Sequence, residues 1–545
     1  MKPTTLRIIT KNHEAYWDSM SKELWKYKQV YEGNFWADSD IDDTQLQIQT
    51  SDGYSYVEAY QASLFAKNPA IVLKPGIRDK GDVKVSEPIA NAFFVKARKQ
   101  VKDASRLALI YPNAYLKLIP CESESLYGKL LPVALSPWEV IVDTDAARWD
   151  EQRYIGHIYW MPIAMAEKKF GSKDYKTQCK ELYFDSTKEN PNTASELDSD
   201  PLFQYIKVVE MYDFEDEKLY FWSPNFDDGK TWLEETVLPF RNLDNEPFAP
   251  IGPFMYTSLP DFPLLGYSAM KRVYDQLYEL NIIRSFQANA VRKASRQWLV
   301  RKDRVDAESM NQVTSGIDGL FIPVETEGNE SLSDIIHAIP HTSTPVEVDK
   351  YYNSVKQDKD NGTNLAPFTR GEATKATATE IAALAAYTSS EVGVLARERD
   401  AAIEYLAYLY LNMLAMYVED EKDSIVVKLD GKLVPVTAES LRGDYEVYAA
   451  DSAATPLSEL FQKQEFLQNI GVLQELGVPT ALIREELLKR LNLPEDWNTE
   501  AQAEEDAALQ AAQAAPGQMP PTSLDLVGNP SAANVAQVLP GMAGV

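Results

Sequence analysis

Apolar residues recur at helical spacing over the first hundred positions. Residues 12–37 place Tyr16, Met20, Leu24, Tyr27 and Tyr31 three to four apart among charges, which predicts an amphipathic helix. Residues 55–67 predict a second helix, ended by Asn68-Pro69, and 86–108 a third with Pro88 in its first turn. From 109 the period shortens to two. LALIYPNAYLKLIP, KLLPVALSPWEVIVDTD and YIGHIYWMP predict strands, followed by a short helix at 163–170 and a polar loop at 183–200. Strands resume at YIKVVEMYDF, KLYFWSP and TWLEETVLPF, joined by Asp/Gly turns such as Asp227-Asp228-Gly229. Prolines at 247, 250, 253, 260 and 263 then mark a boundary.

The second half is organised by long helices. One is predicted over 264–297, with Met270, Val273, Tyr274, Leu277 and Leu280 as its apolar stripe. Short strands and turns follow over 298–341, then a highly charged helix over 345–360. A polar loop at 361–376 carries Asn361, Gly362, Thr363, Asn364, Thr369, Arg370 and Lys375, with Pro367 and Gly371 breaking regular structure. It leads into an alanine-rich helix, capped by Thr377 or Thr379, that ends near Tyr417 and spans roughly 55 Å. Ala378, Ala382, Ala385 and Ala386 line one side, so another helix or subunit can come close. Strands SIVVKLDG and YEVYAAD precede a helical block at 456–493. From Ala501 the composition falls to Ala, Gln, Pro and Gly, which predicts a frayed helix and then disorder. The predicted class is α+β, predominantly helical.

Composition narrows the function. The 545 residues suffice for several domains with real cores, and 45% hydrophobic content is that of a folded body. With 54 basic and 82 acidic side chains the net charge is −28, which argues against gripping nucleic acid by phosphate neutralisation, though not against surrounding it. Cys121 and Cys179 have no metal-ligand spacing and read as free thiols. The first residues lack a secretion signal's apolar core, and no window of uninterrupted apolar residues reaches membrane-span length. The expectation is a protein soluble and cytoplasmic at synthesis, with no membrane partner.

Motifs for chemistry are sparse. GKT at 229–231 lacks the first glycine of a phosphate loop, Pro224 standing there, and reads as a hairpin turn. His337 and His341 are four apart with Pro340 between them, a chance spacing. Asp143, Asp145 and Asp150 resemble a two-metal cluster only in number, and four histidines are a poor supply for acid–base work. No cofactor and no catalytic residue is expected. Two features stand out instead. Arg284, Arg292, Lys293, Arg296, Arg301, Lys302 and Arg304 gather seven positive charges within 21 residues of an acidic chain. They read either as a helix end balancing its dipole or as a contact for DNA backbone or an acidic partner. The loop at 361–376 is the other.

Four segments in order carry a resemblance: YVEAYQASLFAKNPAIVLKP, SPWEVIVDTDAARWDEQRYIGHIYWMP, PLLGYSAMKRVYDQLYELNIIRSFQANA and RGEATKATATEIAALAAY. Over roughly residues 15–500 the chain resembles the portal (head-to-tail connector) proteins of tailed bacteriophages, in particular those of short-tailed phages. The resemblance implies a homo-oligomeric ring, by family habit of twelve subunits, at one capsid vertex of the virion and assembled in the host cytoplasm. It implies a channel through which double-stranded DNA is packaged and ejected. Partners would be the terminase motor, a tail adaptor, and the major capsid and scaffolding proteins. By this likeness 1–262 and 377–455 form the wing, 263–297 and 345–360 the stem helices, 298–344 the clip, 361–376 the channel loop, 456–500 the crown and 501–545 a low-complexity tail. The basic cluster would sit near the junction of stem and clip. Such a protein is not an enzyme. A tail adaptor or minor capsid protein is the alternative structural reading, and a nuclease or motor ATPase the enzymatic one.

Overall fold

The computed structural model describes residues 1–36, 46–66, 69–78, 80–121, 129–179, 203–294, 298–300, 336–338, 346–363, 378–420, 425–429 and 432–450. Two units are distinguished, 1–456 and 457–545, and the second lies outside the described residues, as do the expected loop at 183–200, the helical block and the tail.

The first unit mixes α and β. Helix α1 (Pro3–Glu32) begins nine residues before the expected start and stops before Gly33, which takes the left-handed conformation (φ 81°) and donates its N–H to the Gln29 carbonyl. A residue without a Cβ is favoured there, so the predicted continuation to 37 fails. The buried face of α1 is Leu6, Trp17, Leu24, Tyr27 and Val30, while Tyr16, expected inside, is exposed. Helix α2 (Asp52–Leu64) is followed by strand β1 (Ala70–Pro75) and helix α3 (Val83–Ile110). The α3 N-cap is Asp82, whose carboxylate accepts from the Lys84 N–H at 3.0 Å, so Pro88 falls one turn further in than its pattern suggested.

Two antiparallel sheets follow. The smaller joins β2 (Ala114–Pro120), β3 (Leu130–Leu135) and the later β10 (Ile251–Phe254) in the order β10-β2-β3. The larger runs β4-β5-β7-β8-β9, from β4 (Val140–Val142), β5 (Tyr154–Pro162), β7 (Gln204–Asp213), β8 (Lys218–Trp222) and β9 (Trp232–Val237), with β6 (Gln178–Cys179) also on β7. Helix α4 (Ile163–Phe170) lies where the pattern placed it. The Asp227–Gly229 segment is a turn between β8 and β9, as read, with the Gly229 carbonyl accepting from Trp222 Nε1 at 3.0 Å.

Residues 264–273 are not α-helical, against the expectation of a helix from 264. Gly266 packs so tightly on the Pro112 carbonyl that a Cβ has no room. Ser268 Oγ donates to the Ile110 carbonyl (2.7 Å) and accepts from the Met270 N–H (3.1 Å), and Leu264, Leu265 and Met270 turn into the core. Tertiary packing overrides a helical period here. Helix α5 (Tyr274–Ala294) starts only after a short 3-10 turn at Met270–Arg272. Strands β11 (Trp298–Val300) and β12 (Ile336–Ala338) pair antiparallel, and helix α6 (Val346–Thr363) follows. The longest element is α7 (Ala378–Asp420), 43 residues or roughly 65 Å. A hairpin of β13 (Ile425–Leu429) and β14 (Lys432–Val436), helix α8 (Ala438–Leu441) and strand β15 (Tyr445–Ala450), which pairs with β1, complete the unit.

The core gathers α1, α2, α3, both sheets and α7 in one apolar cluster. Phe93 of α3 stacks on Tyr410 of α7 with ring centroids 3.8 Å apart. Residues 392–418 of α7 are long and apolar enough to cross a membrane by composition, but 67% of the most apolar window is buried against the rest of the protein, so this stretch is a core spine.

Candidate functional site

Helices α5 and α6 form an antiparallel hairpin. Gly362, near the end of α6, lies against Val273 just before α5, and at the other end Gln287 Nε2 donates to Asp349 Oδ1 at 2.8 Å. Leu280, Ile283 and Val355 make its buried seam, with Val348 and Tyr352 packed on it. The β11–β12 pair joins the chain leaving α5 to the chain entering α6.

Outside that seam one flank of the otherwise polar hairpin is apolar. Tyr278, Ile282 and Phe286 stand four apart on α5, and Phe286 (57% exposed) and Tyr351 of α6 (51% exposed) face solvent. Ile282, Ile283, Phe286, Val348, Tyr351 and Glu347 line a notch of about 380 Å³. The hydroxyl of Tyr351 donates to Glu279, which fixes the ring across the notch.

The foot of the hairpin is locked by a buried lysine. Lys359 Nζ donates to Asp52 Oδ1 at 2.7 Å, at the first residue of α2, and lies 3.3 Å from Asp360. Burial pushes the Asp52 carboxyl up, but the Lys359 ammonium outweighs it and holds the group below the ordinary carboxylate range. This lock was not legible in the sequence, where Lys359 is one charge among many on α6.

The predicted residues divide as follows. Asn361, Gly362 and Thr363 are the last turn of α6, not the start of a loop, because the helix persists three residues past 360 while Gly362 packs on Val273. Asn364, Thr369, Arg370 and Lys375 lie outside the described residues. Arg284 is exposed on α5, and Arg292 and Lys293 sit in its last turns, where cations suit the helix dipole. Arg296, Arg301, Lys302 and Arg304 lie outside the described residues.

Asp143, Asp145 and Asp150 each meet an arginine. Arg153 donates from Nε to Asp143 Oδ2 (2.6 Å) and from an Nη to Asp143 Oδ1 (2.9 Å), and it also meets Asp145 (2.9 Å), while Asp150 pairs with Arg148. The Arg153 guanidinium holds the Asp143 carboxyl below its ordinary range. These carboxylates are thus neutralised by arginine, and among the described residues no group of three or more His, Cys, Asp or Glu could hold a metal ion. His337 lies on β12, and His341 lies outside the described residues.

A second ionic cluster escaped sequence reading. His157 of β5 and Glu210 of β7 are cross-strand neighbours in the larger sheet. Lys117, from β2 of the smaller sheet, reaches between them, donating to His157 Nδ1 (3.0 Å) and Glu210 Oε2 (2.9 Å). The Tyr212 hydroxyl donates to the other oxygen of Glu210. Burial, and then the neighbouring ammonium, push His157 down to about 3. Burial pushes Glu210 up, but Lys117 outweighs it and keeps the carboxylate charged. Lys, His and Glu separated by 40 and 53 residues carry no signal in one dimension. The cluster welds two sheets.

The described surface therefore offers a helical hairpin with an apolar flank and a locked foot. The chain matches no protein-family model, and no curated protein matches it.

Proposed function

We propose that this chain is the subunit of a portal-type ring: a non-catalytic annulus through which double-stranded DNA passes into and out of a phage capsid, and on which a packaging motor and a tail adaptor dock. The observation that carries the reading is the order of elements around the hairpin. An α/β body leads into α5, a strand-paired excursion returns through α6, and a 43-residue helix then re-enters the body's core against α2, α3, β10 and β15. In this reading α5 and α6 are the stem, 298–344 the clip, the residues after Thr363 the channel loop, α7 the spine of the wing and 456–500 the crown.

Three physical features support it. The apolar flank of Tyr278, Ile282, Phe286 and Tyr351 is a surface that a neighbouring copy in a ring would cover. A subunit charge of −28 sums over twelve copies to on the order of −340, a wall that repels phosphates and lets DNA slide. The basic residues at the end of α5 then form one narrow positive collar for transient phosphate contacts or motor docking.

Electron-microscope images of the purified full-length chain test the reading: rings with a central hole wide enough for a duplex are expected. A chain that stays monomeric under all assembly conditions, or closes without a bore, overturns it. Within the phage, Arg292, Lys293 and Arg296 changed together to Glu should leave rings intact and impair packaging. Normal packaging by that variant removes the role given to the collar.

A further inference from the structure

The extended segment 46–50 lies along α5, and its contacts repeat. Asn289 Oδ1 accepts from the Leu46 N–H (2.8 Å) while Asn289 Nδ2 donates to the Leu46 carbonyl (2.8 Å). Ser285 Oγ accepts from the Ile48 N–H (2.8 Å) and donates to the Ile48 carbonyl (3.1 Å). Asn281 Oδ1 accepts from the Thr50 N–H (2.8 Å) and from its hydroxyl (3.1 Å). The rungs are four residues apart on the helix and two apart on the strand. Four helical residues rise about 6 Å and two extended residues about 6.6 Å, so the two repeats stay in step over three rungs. One turn earlier stands the buried, apolar Leu277, so the ladder begins at Asn281.

The segment is also tied to the residues that follow α1, and the Ile48 carbonyl is shared between the two. Trp36 Nε1 donates to the Ile48 carbonyl (3.0 Å), the Phe35 N–H to Gln49 Oε1 (2.9 Å), and the Phe35 ring meets Tyr278 of α5 edge-on at 5.4 Å. The segment is therefore a bridge between body and hairpin, and α5 reads it almost wholly through backbone groups. Its two ends differ. Asn281 and Ser285 are buried, whereas Leu46 is 41% exposed.

We propose that residues 46–50 are a backbone-read latch that sets the direction of α5 on the body and opens from its Leu46 end. Asn281, Ser285 and Asn289 are positioning residues: they hold the far half of the hairpin through the strap. The buried Asn281 rung is the hinge of the latch, and the exposed Asn289 rung is where it peels. Because each rung satisfies a backbone donor that water can also satisfy, the strap opens rung by rung without tearing the core. This inference concerns one subunit and holds whether or not the chain assembles into a ring.

Hydrogen exchange of the full-length chain, read at peptide resolution, tests it. In the wild type, protection should rise from Leu46 through Ile48 to Thr50. Asn289→Ala with Ser285→Ala should speed exchange at Leu46 and Ile48 at least tenfold, and exchange over residues 286–291 of α5 should rise with it while β7 is unchanged. Ile48→Pro attacks the same rung from the strap, removing its N–H while suiting an extended backbone, and should give the same result if the helix variants fold poorly. Unprotected amides at 46–50 in the wild type, or a loosened strap with α5 unchanged, overturn the latch.

Discussion

The body and the α5–α6 hairpin solve the same problem with different resources, and their two buried lysines show the contrast. Lys117 sits between two sheets with His157, Glu210 and Tyr212 around it, all inside a core that also holds α3 and α7. Lys359 sits at the foot of the hairpin, and its partner Asp52 is 31% exposed. The hairpin's own core is Leu280, Ile283 and Val355, and its aromatic flank faces outward. The body closes its core around Lys117. The hairpin is held by its foot, by the strap along α5 and, in the proposed ring, by a neighbour.

The largest effects should fall in the body. Lys117→Met leaves the Glu210 carboxylate buried without its cation and should cost about 3–5 kcal/mol at neutral pH, measured by chemical denaturation. Phe93→Ala empties the stack on Tyr410 and should cost about as much, roughly 3–5 kcal/mol. If either change costs no more than a surface substitution, the body is not the rigid half.

Acid should next expose the weld. Unfolded, His157 titrates near 6.5; folded, only near 3. Between those values the unfolded chain binds the extra proton, so stability falls as pH drops below about 6.5. Glu210, held below its ordinary 4.5, acts in the same direction: its contribution is full above 4.5 and is lost as pH falls through its folded value. His157→Gln keeps an acceptor for Lys117 and removes the titration. Stability against pH between 6.5 and 4.5 should flatten by one proton, about 1.4 kcal/mol per pH unit, leaving His13, also pushed down by burial, in both proteins. An unchanged slope would assign the acid sensitivity elsewhere.

On the hairpin the same kind of change should matter less. Lys359→Met should cost only about 1–2 kcal/mol, since water reaches Asp52, and the loss should be local, seen as faster exchange in α6 before global unfolding. Smallest of all is Phe286→Ser, expected within about 0.5 kcal/mol of wild type for the monomer because the ring is already exposed. Its effect should appear instead as failed assembly in native mass spectrometry. A Phe286→Ser chain that assembles normally would detach this flank from any subunit contact.

Much of the architecture could be read in one dimension because it depends on local period. The alternation in YIGHIYWMP and YIKVVEMYDF, the short helix at 163–170, the turn at Asp227–Gly229 and the long helix through Ala378–Asp420 all follow from patterns within a dozen residues. Where local pattern failed, a distant contact was the cause. Residues 264–273 have helical spacing, yet Pro112 and Ile110 hold them in turns.

The sequence by itself determined the α+β class, the acidic charge and the placing of basic residues towards the end of α5, because periodicity and charge are properties of neighbouring positions. Only the tertiary structure decided that α6 runs on through Thr363, that Lys359 finds Asp52, that Lys117 finds His157 and Glu210, and that Asn281, Ser285 and Asn289 read a strap 231 to 243 residues away. Burial makes each of these polar groups need a partner, and no spacing rule says which residue across the fold will be near enough to serve.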